Sequence, residues 1–367
     1  MQVLNLNKMN IKTSLSTLIF CVLLGLIHFT SCQSTAENEF ATFPNNIDMG
    51  SIRVEVIRID NCISPMDILA HDSVLILNDT RDANMFIKMY NCQSGIFIKG
   101  VGVMGNGPYE YINPYGMMLF PDYDAFWLME PPKRLLHKIP LSQMVSTTES
   151  NLIPTTTIQL EGQMLITDYY QVSDTTLLVY NPTSDNLFEE MSINGNIIET
   201  YGKTNNKVVS ENYFANFIYY RGTFTINNNK AFLFHNLINK ITSFDFKTMI
   251  KSDRFGDNYI DIIPEVHESG NLLNNYVSFT SNVNSYNSLV FIVYTGGQGF
   301  NQEEMTPNYP NTILVFNENI EPVAKLNFPF DILNFTICKK GVLYVIPGSY
   351  DGIIYKYDLT HITSLKN

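Results

Sequence analysis

The chain has 367 residues, 45% of them hydrophobic and 13% aromatic, with only 16% charged and a formal net charge of −12. So much apolar material can bury a large core and excludes a disordered chain, while the acidic balance argues against nucleic acid and anionic membrane surfaces as partners. Abundant Asn, Thr, Tyr and Ser favour strands and turns over exposed helices.

At the start of the chain, Lys8 and Lys12 precede an apolar run from Leu15 to Phe29, and then come Thr30, Ser31 and Cys32. An apolar core of this length with a small residue ahead of a cysteine reads as a signal peptide rather than a spanning helix. The ending Phe29-Thr30-Ser31-Cys32 resembles a bacterial lipobox, whose cysteine is acylated and becomes the mature N-terminus, with Phe where Leu is commoner. The competing reading is an ordinary signal peptide cut near Ser31. Met9 is a second candidate start, because MNIKTSL opens a more typical leader. The lipobox resemblance implies a lipid anchor on Cys32 and a cell-envelope address, with the outer membrane as the expected site. Losing residues 1–32 takes the formal charge from −12 to −14. Residues 33–50 are polar and poorly periodic, and read as a tether to a domain spanning 51–367.

From residue 51 the chain repeats a unit of roughly fifty residues, the range of propellers and other arrays. The second strands of the units are read at 73–79, 124–130, 175–181, 230–236, 288–294 and 341–347, and the third at 85–91, 134–140, 187–193, 240–246, 312–318 and 353–359. Inner strands are expected at MDILA, GMMLF, TDYYQV, NFIYY, YVSFT and ILNFTI. The sixth unit stops after its third strand, while 52–60 (IRVEVIRID) is a free alternating strand at the other end. A closed ring leaves no unpaired edge, so this strand is expected to complete the last blade. The reading is an all-β, six-bladed β-propeller. A single Trp and a single Gly-Gly pair set aside WD and kelch patterns.

Between the first and second units lies GVMGNGPYEYINPY, 102–115. Its Gly105, Gly107, Pro108, Glu110 and Tyr111 match a G-x-G-P-G-E-[YF] segment, with Tyr109 in place of the last glycine. In this the chain resembles the TolB-like six-bladed β-propeller lipoproteins of Bacteroidetes-type bacteria, which implies the same fold over the whole mature domain. Two readings fit the segment. It presents Glu110 and Tyr111 to a ligand on the rim, or it is a rigid corner between blades, with Pro108 fixing φ and the glycines permitting positive φ.

No nucleophile elbow, P-loop or dinucleotide fingerprint is present. Asp253, Asp257, Asn258 and Asp261 offer oxygen ligands but lack EF-hand spacing, and a solvated loop is the better reading. Cys62, Cys92 and Cys338 lack C-x-x-C spacing; a Cys62–Cys92 bridge is an alternative to three small buried side chains. Trp127 with Lys133 and Arg134 is either an aromatic-basic platform or, for the Trp, core. Asp72-Ser73-Val74 and Asp174-Thr175-Thr176 resemble the O-glycosylation acceptors of this bacterial group. Loops joining second to third strands share one face of a propeller, and there Arg134, His235, Phe300 and Tyr309 join Glu110 and Tyr111 as ligand-binding candidates. The insertion at 296–310 is expected to act as a lid over that rim. The leading functional expectation is a non-catalytic envelope module without a cofactor, binding a glycan, a peptide or an envelope protein. The alternative is a channel-centred, metal-dependent hydrolase or lactonase, for which Asp67, Asp168 and Asn216 are the candidate acids and amide.

Overall fold

A computed structural model describes residues 42–146, 151–160, 165–204, 213–256, 280–296, 300–301, 306–307 and 309–363. The leader, Cys32 and the first part of the tether lie outside these residues. The described chain is a six-bladed β-propeller, each blade an antiparallel sheet of at least four strands. Blade I runs Pro65–His71, Val74–Asp79, Ile87–Asn91, Phe97–Val101, from the axis outward. Blade II is Tyr115–Phe120, Ala125–Glu130, Leu135–Pro140, Thr156–Gln159, and blade III is Asp168–Gln171, Thr176–Tyr180, Asn186–Ser192, Ile197–Lys203. Blade IV is Gly222–Asn227, Lys230–His235, Lys240–Asp245, Ile250–Phe255, and blade V is Thr280–Tyr286, Leu289–Tyr294, Thr312–Asn317, Pro322–Asn327. Blade VI is Ile332–Ile337, Val342–Pro347, Ile353–Asp358.

Every blade is packed on both faces, so its second strand is buried along almost its whole length rather than alternating; all of Ala125–Glu130 is buried. Successive residues still point to opposite faces. Leu75 and Leu77 enter the core between blades VI and I, whereas Ile76 enters the core between I and II. Six such interblade cores are formed, one at each junction. Outer strands are wetter, as in Ile197–Lys203, where no residue is buried.

The ring closes as expected. Glu55–Arg58 pairs antiparallel with Ile353–Asp358, and Lys356 Nζ meets Glu55 Oε2 at 2.6 Å across one register pair. The inward face of this strand is the opposite of the one its alternation suggests: Ile57 is 2% exposed, whereas Val56 is 50% exposed. Burial continues at Ile59, so the face is chosen by the blade VI–blade I junction and not by Val54 and Val56.

Two further expectations are corrected. The tether does not extend to residue 50, because Asn45–Asp48 adds a fifth strand, parallel, on the outer edge of blade V. Asp48 then caps a 3-10 turn, Met49–Ser51, and Met49 is buried between blades V and VI. The inner strand of blade IV is also not NFIYY: Tyr213–Tyr220 is an α-helix and the strand is Gly222–Asn227, whereas of YVSFT only Thr280 lies within the described residues, opening the blade V strand Thr280–Tyr286. Each of these two strands is tied to its neighbour by a two-residue turn. Positive φ at Asn228 in one turn, and at Asn287 and Ser288 in the other, marks these hairpins. In blade IV aromatic density suggested the wrong segment, while the Asn-rich turn pointed to the right one. Cys62, Cys92 and Cys338 are free thiols gathered at the blade VI–blade I junction.

Candidate functional site

The six inner strands line the axis, and polar groups near their starts link each strand to the next. Asn334 of blade VI donates to Met66 O at 2.9 Å and to Asp67 Oδ1 at 3.3 Å on blade I. Asp67 in turn accepts the backbone N–H groups of Gly116 and Met117 on blade II. Gly116, at φ 65°, also offers its carbonyl to the hydroxyl of Tyr169 on blade III. Asp168 of blade III accepts from Phe224 N of blade IV at 2.7 Å, and Thr223 Oγ1 of blade IV donates to Ser281 O of blade V at 3.0 Å. Asn282 of blade V donates to Asn334 Oδ1, which brings the circuit back to blade VI. The result is an uninterrupted belt around the axis.

Burial pushes the Asp168 carboxyl up to about 7 although two backbone N–H groups favour its charged form. Burial likewise raises Asp67, against the pull of Asn78, Gly116, Met117 and Asn334. Arg221 and Asp168 both lie within electrostatic reach of Tyr115. Of the three groups expected at a channel-centred site, Asp67 and Asp168 are in the channel, whereas Asn216 sits on the helix Tyr213–Tyr220. Among the described residues no group of three His, Cys, Asp or Glu side chains is placed to hold a metal ion.

The Gly105–Tyr111 segment is built as a corner. Gly107 N donates to Glu110 Oε2 at 2.7 Å and Gly105 N to Tyr111 O at 3.0 Å, so the glutamate closes its own loop. A Cβ on Gly105 would stand 2.1 Å from that Oε2, so any larger residue there would push the Glu110 carboxylate out of its bond to Gly107. Tyr111 is 2% exposed; its ring packs edge-on to Phe86 and His137, and its hydroxyl donates to Leu152 O at 2.9 Å. The expectation that Tyr111 meets a ligand is therefore corrected: interblade packing takes up the whole side chain. Behind it, buried Glu130 pairs with Lys133 at 2.8 Å and with His137 Nε2 at 3.1 Å.

His235 is also buried. Its Nε2 lies 3.1 Å from Thr242 Oγ1, and desolvation drives the imidazole down to about 3, so it stays neutral and is withdrawn from the rim. Trp127 is core, its Nε1 donating to Gln171 Oε1 at 2.7 Å. Arg134 is half-buried and holds a left-handed backbone, φ 57°, at the second-to-third strand turn of blade II. Asp253 is engaged by Lys240 at 3.2 Å and Thr242 at 2.7 Å; Asp257, Asn258 and Asp261 lie outside the described residues. In the 296–310 insertion, Phe300–Asn301 pairs antiparallel with Thr306–Pro307, and half-buried Tyr309 packs on Gly348. Residues 297–299, 302–305 and 308 of that insertion lie outside the described residues. Ser73 and Thr175, the glycosylation candidates, are exposed at first-to-second strand turns.

Sequence reading missed the opposite face. Below the belt, side chains from all six inner strands enclose a cavity of about 230 Å³ in the channel. It shares Leu119, Phe120, Tyr170 and Lys339 with a cleft of about 760 Å³ that runs outward between blades III and IV. The cleft opens among first-to-second and third-to-fourth strand turns, away from the expected rim. The available signal was the spacing of Tyr and Glu along 190–201, which reads locally as ordinary outer-strand alternation.

No family model matches the chain, and no curated protein matches it by sequence. Solved structures do match. A candidate exported protein of Bacteroides fragilis is 13% identical at a TM-score of 0.57, covering 87% of this chain and 98% of that one. A member of the DUF4221 family from Bacteroides vulgatus is 11% identical at a TM-score of 0.51, covering 83% of this chain and 96% of that one. At such identities the likeness extends to the fold, a β-propeller spanning nearly the whole of each relative.

Proposed function

We propose that this protein is a non-catalytic binding module of the cell envelope, a TolB-like propeller held to a membrane by lipid on Cys32. The observation that carries the non-catalytic reading is the axial belt. The acids that a channel-centred enzyme would need, Asp67 and Asp168, are each bonded across a blade junction. The envelope address is supported by the leader ending at Cys32 and by the name of the Bacteroides fragilis relative. Ligands of the glycan, peptide or envelope-protein class are assigned to the rim at 130–134, 235–239 and 296–310. Arg134, Phe300 and Tyr309 remain its contact candidates, and Glu110 supports the loop beside them.

Two experiments test this. Metal analysis and a screen of ester and lactone substrates on the purified protein are expected to be negative; stoichiometric metal with hydrolysis lost in Asp168→Ala would overturn the reading. Cys32→Ala is expected to move the protein from the membrane to the soluble fraction, because one or two acyl chains would be the whole anchor. Unchanged fractionation removes the lipid anchor.

A further inference from the structure

The cleft between blades III and IV has the dimensions of a small-molecule site, about 760 Å³. Aromatic side chains form its walls: Tyr170 packs edge-on to Phe120 with ring centroids 5.0 Å apart, and Tyr201 does the same to Phe246 at 5.1 Å. Exposed Val172 and Met249 stand at its lip. Its charge is one-sided. Glu190 and Glu199, both lining the cleft, are direct register partners across adjacent strands of blade III. Like charges placed directly opposite destabilise a sheet. Among the described residues no cation lies within ion-pairing distance of either glutamate, and the one basic lining residue, Lys339, pairs with Asp122 at 3.0 Å. Tyr201 donates its hydroxyl to Glu190 Oε2 at 2.7 Å, which holds that carboxylate against the aromatic wall.

We propose that this cleft binds a small organic cation, a protonated amine on an aromatic or other flat apolar body. The body would lie between the rings of Tyr170, Tyr201 and Phe246, and the ammonium would sit between Glu190 and Glu199. A cation there relieves the carboxylate–carboxylate repulsion and meets the faces of electron-rich rings. A neutral or anionic ligand of the same shape gains neither. The site is on the face opposite the rim, so it stands or falls independently of the rim reading.

The probes are tryptamine and its uncharged counterpart tryptophol, titrated by calorimetry into the purified protein at low ionic strength. Tryptamine is expected to bind at least on the order of tenfold more tightly than tryptophol. Glu190→Gln with Glu199→Gln is expected to bring tryptamine down to the tryptophol level, and to melt no lower than the parent since a repulsion is removed. A control double variant on the exposed turn of blade V, Glu318→Gln with Glu321→Gln, is expected to leave tryptamine binding unchanged. The proposal is overturned if tryptamine fails to bind at millimolar concentration or binds no better than tryptophol. It is equally overturned if the folded Glu190/Glu199 variant keeps its affinity, or if the control variant loses as much.

Discussion

Lys88 Nζ lies 2.8 Å from Asp79 Oδ2, and the two side chains are 2% and 0% exposed. The pair is a fastening for the ring closure. Asp79 also accepts from Ile63 N and Ser64 N at 2.8 and 3.0 Å, and Lys88 donates to Asn61 O, so both partners hold the segment that follows the closing strand. Asp82 completes the group at 2.8 Å from the same ammonium. Lys88→Met would leave Asp79 as a buried, uncompensated charge, a loss of about 3–5 kcal/mol by urea denaturation. Adding Asp79→Asn in the same chain is expected to cost less than the sum of the two single changes. Strict additivity would show that the pair does not act as a unit.

The closing strand itself is expected to be indispensable. Deleting 51–60 exposes the backbone edge of Ile353–Asp358 and removes Ile57 and Ile59 from the blade VI–blade I core. Aggregated or unfolded protein is the expected product. A soluble truncation that melts cooperatively at the parent temperature would refute the closure.

The belt makes stability depend on pH in a defined direction. Asp168 is raised to about 7 in the folded protein, well above its ordinary value of 3.8. The folded state therefore holds this proton more tightly than the unfolded chain does. Its contribution is complete below pH ~4, declines as pH rises towards 7, and is flat beyond. Asp168→Asn loses one of two backbone bonds but removes this slope. The parent's advantage over the variant should thus shrink by a few kcal/mol between pH ~4 and ~7. A difference that is constant or grows with pH contradicts the burial of that carboxyl.

Tyr111→Phe tests the corner. It removes a buried hydroxyl and leaves Leu152 O without that donor, a cost of about 1–3 kcal/mol in chemical denaturation. Any ligand found at the rim should bind the variant as it binds the parent, because the Tyr111 ring is enclosed between blades I and II.

Cys62 supplies a check on the blade VI–blade I junction. Burial pushes its thiol up to about 12, so at pH ~8 it is almost wholly protonated. Alkylation of Cys62 by iodoacetamide in the native protein should be far slower than in denaturant. Equal rates would mean that the junction is open.

What the amino-acid order determined on its own was the architecture. Strand period, turn residues and an incomplete last repeat are local signals, and they sufficed for the second and third strands of every blade and for the ring closure. Local signals misled where two candidates competed. Aromatic-rich 216–220 looked more strand-like than Gly222–Asn227, although only the latter runs into an Asn-rich turn. The tertiary structure decided which face of the closing strand is buried, since Val56 and Ile57 are equally apolar and only the neighbouring blades distinguish them. It also decided that Asp67 and Asp168 are bonded across blades, through partners 267 and 56 residues away in the chain. The cleft is of the same kind. Its walls come from blades II, III and IV, and Glu190 and Glu199 become a charged pair only when their strands are set in register.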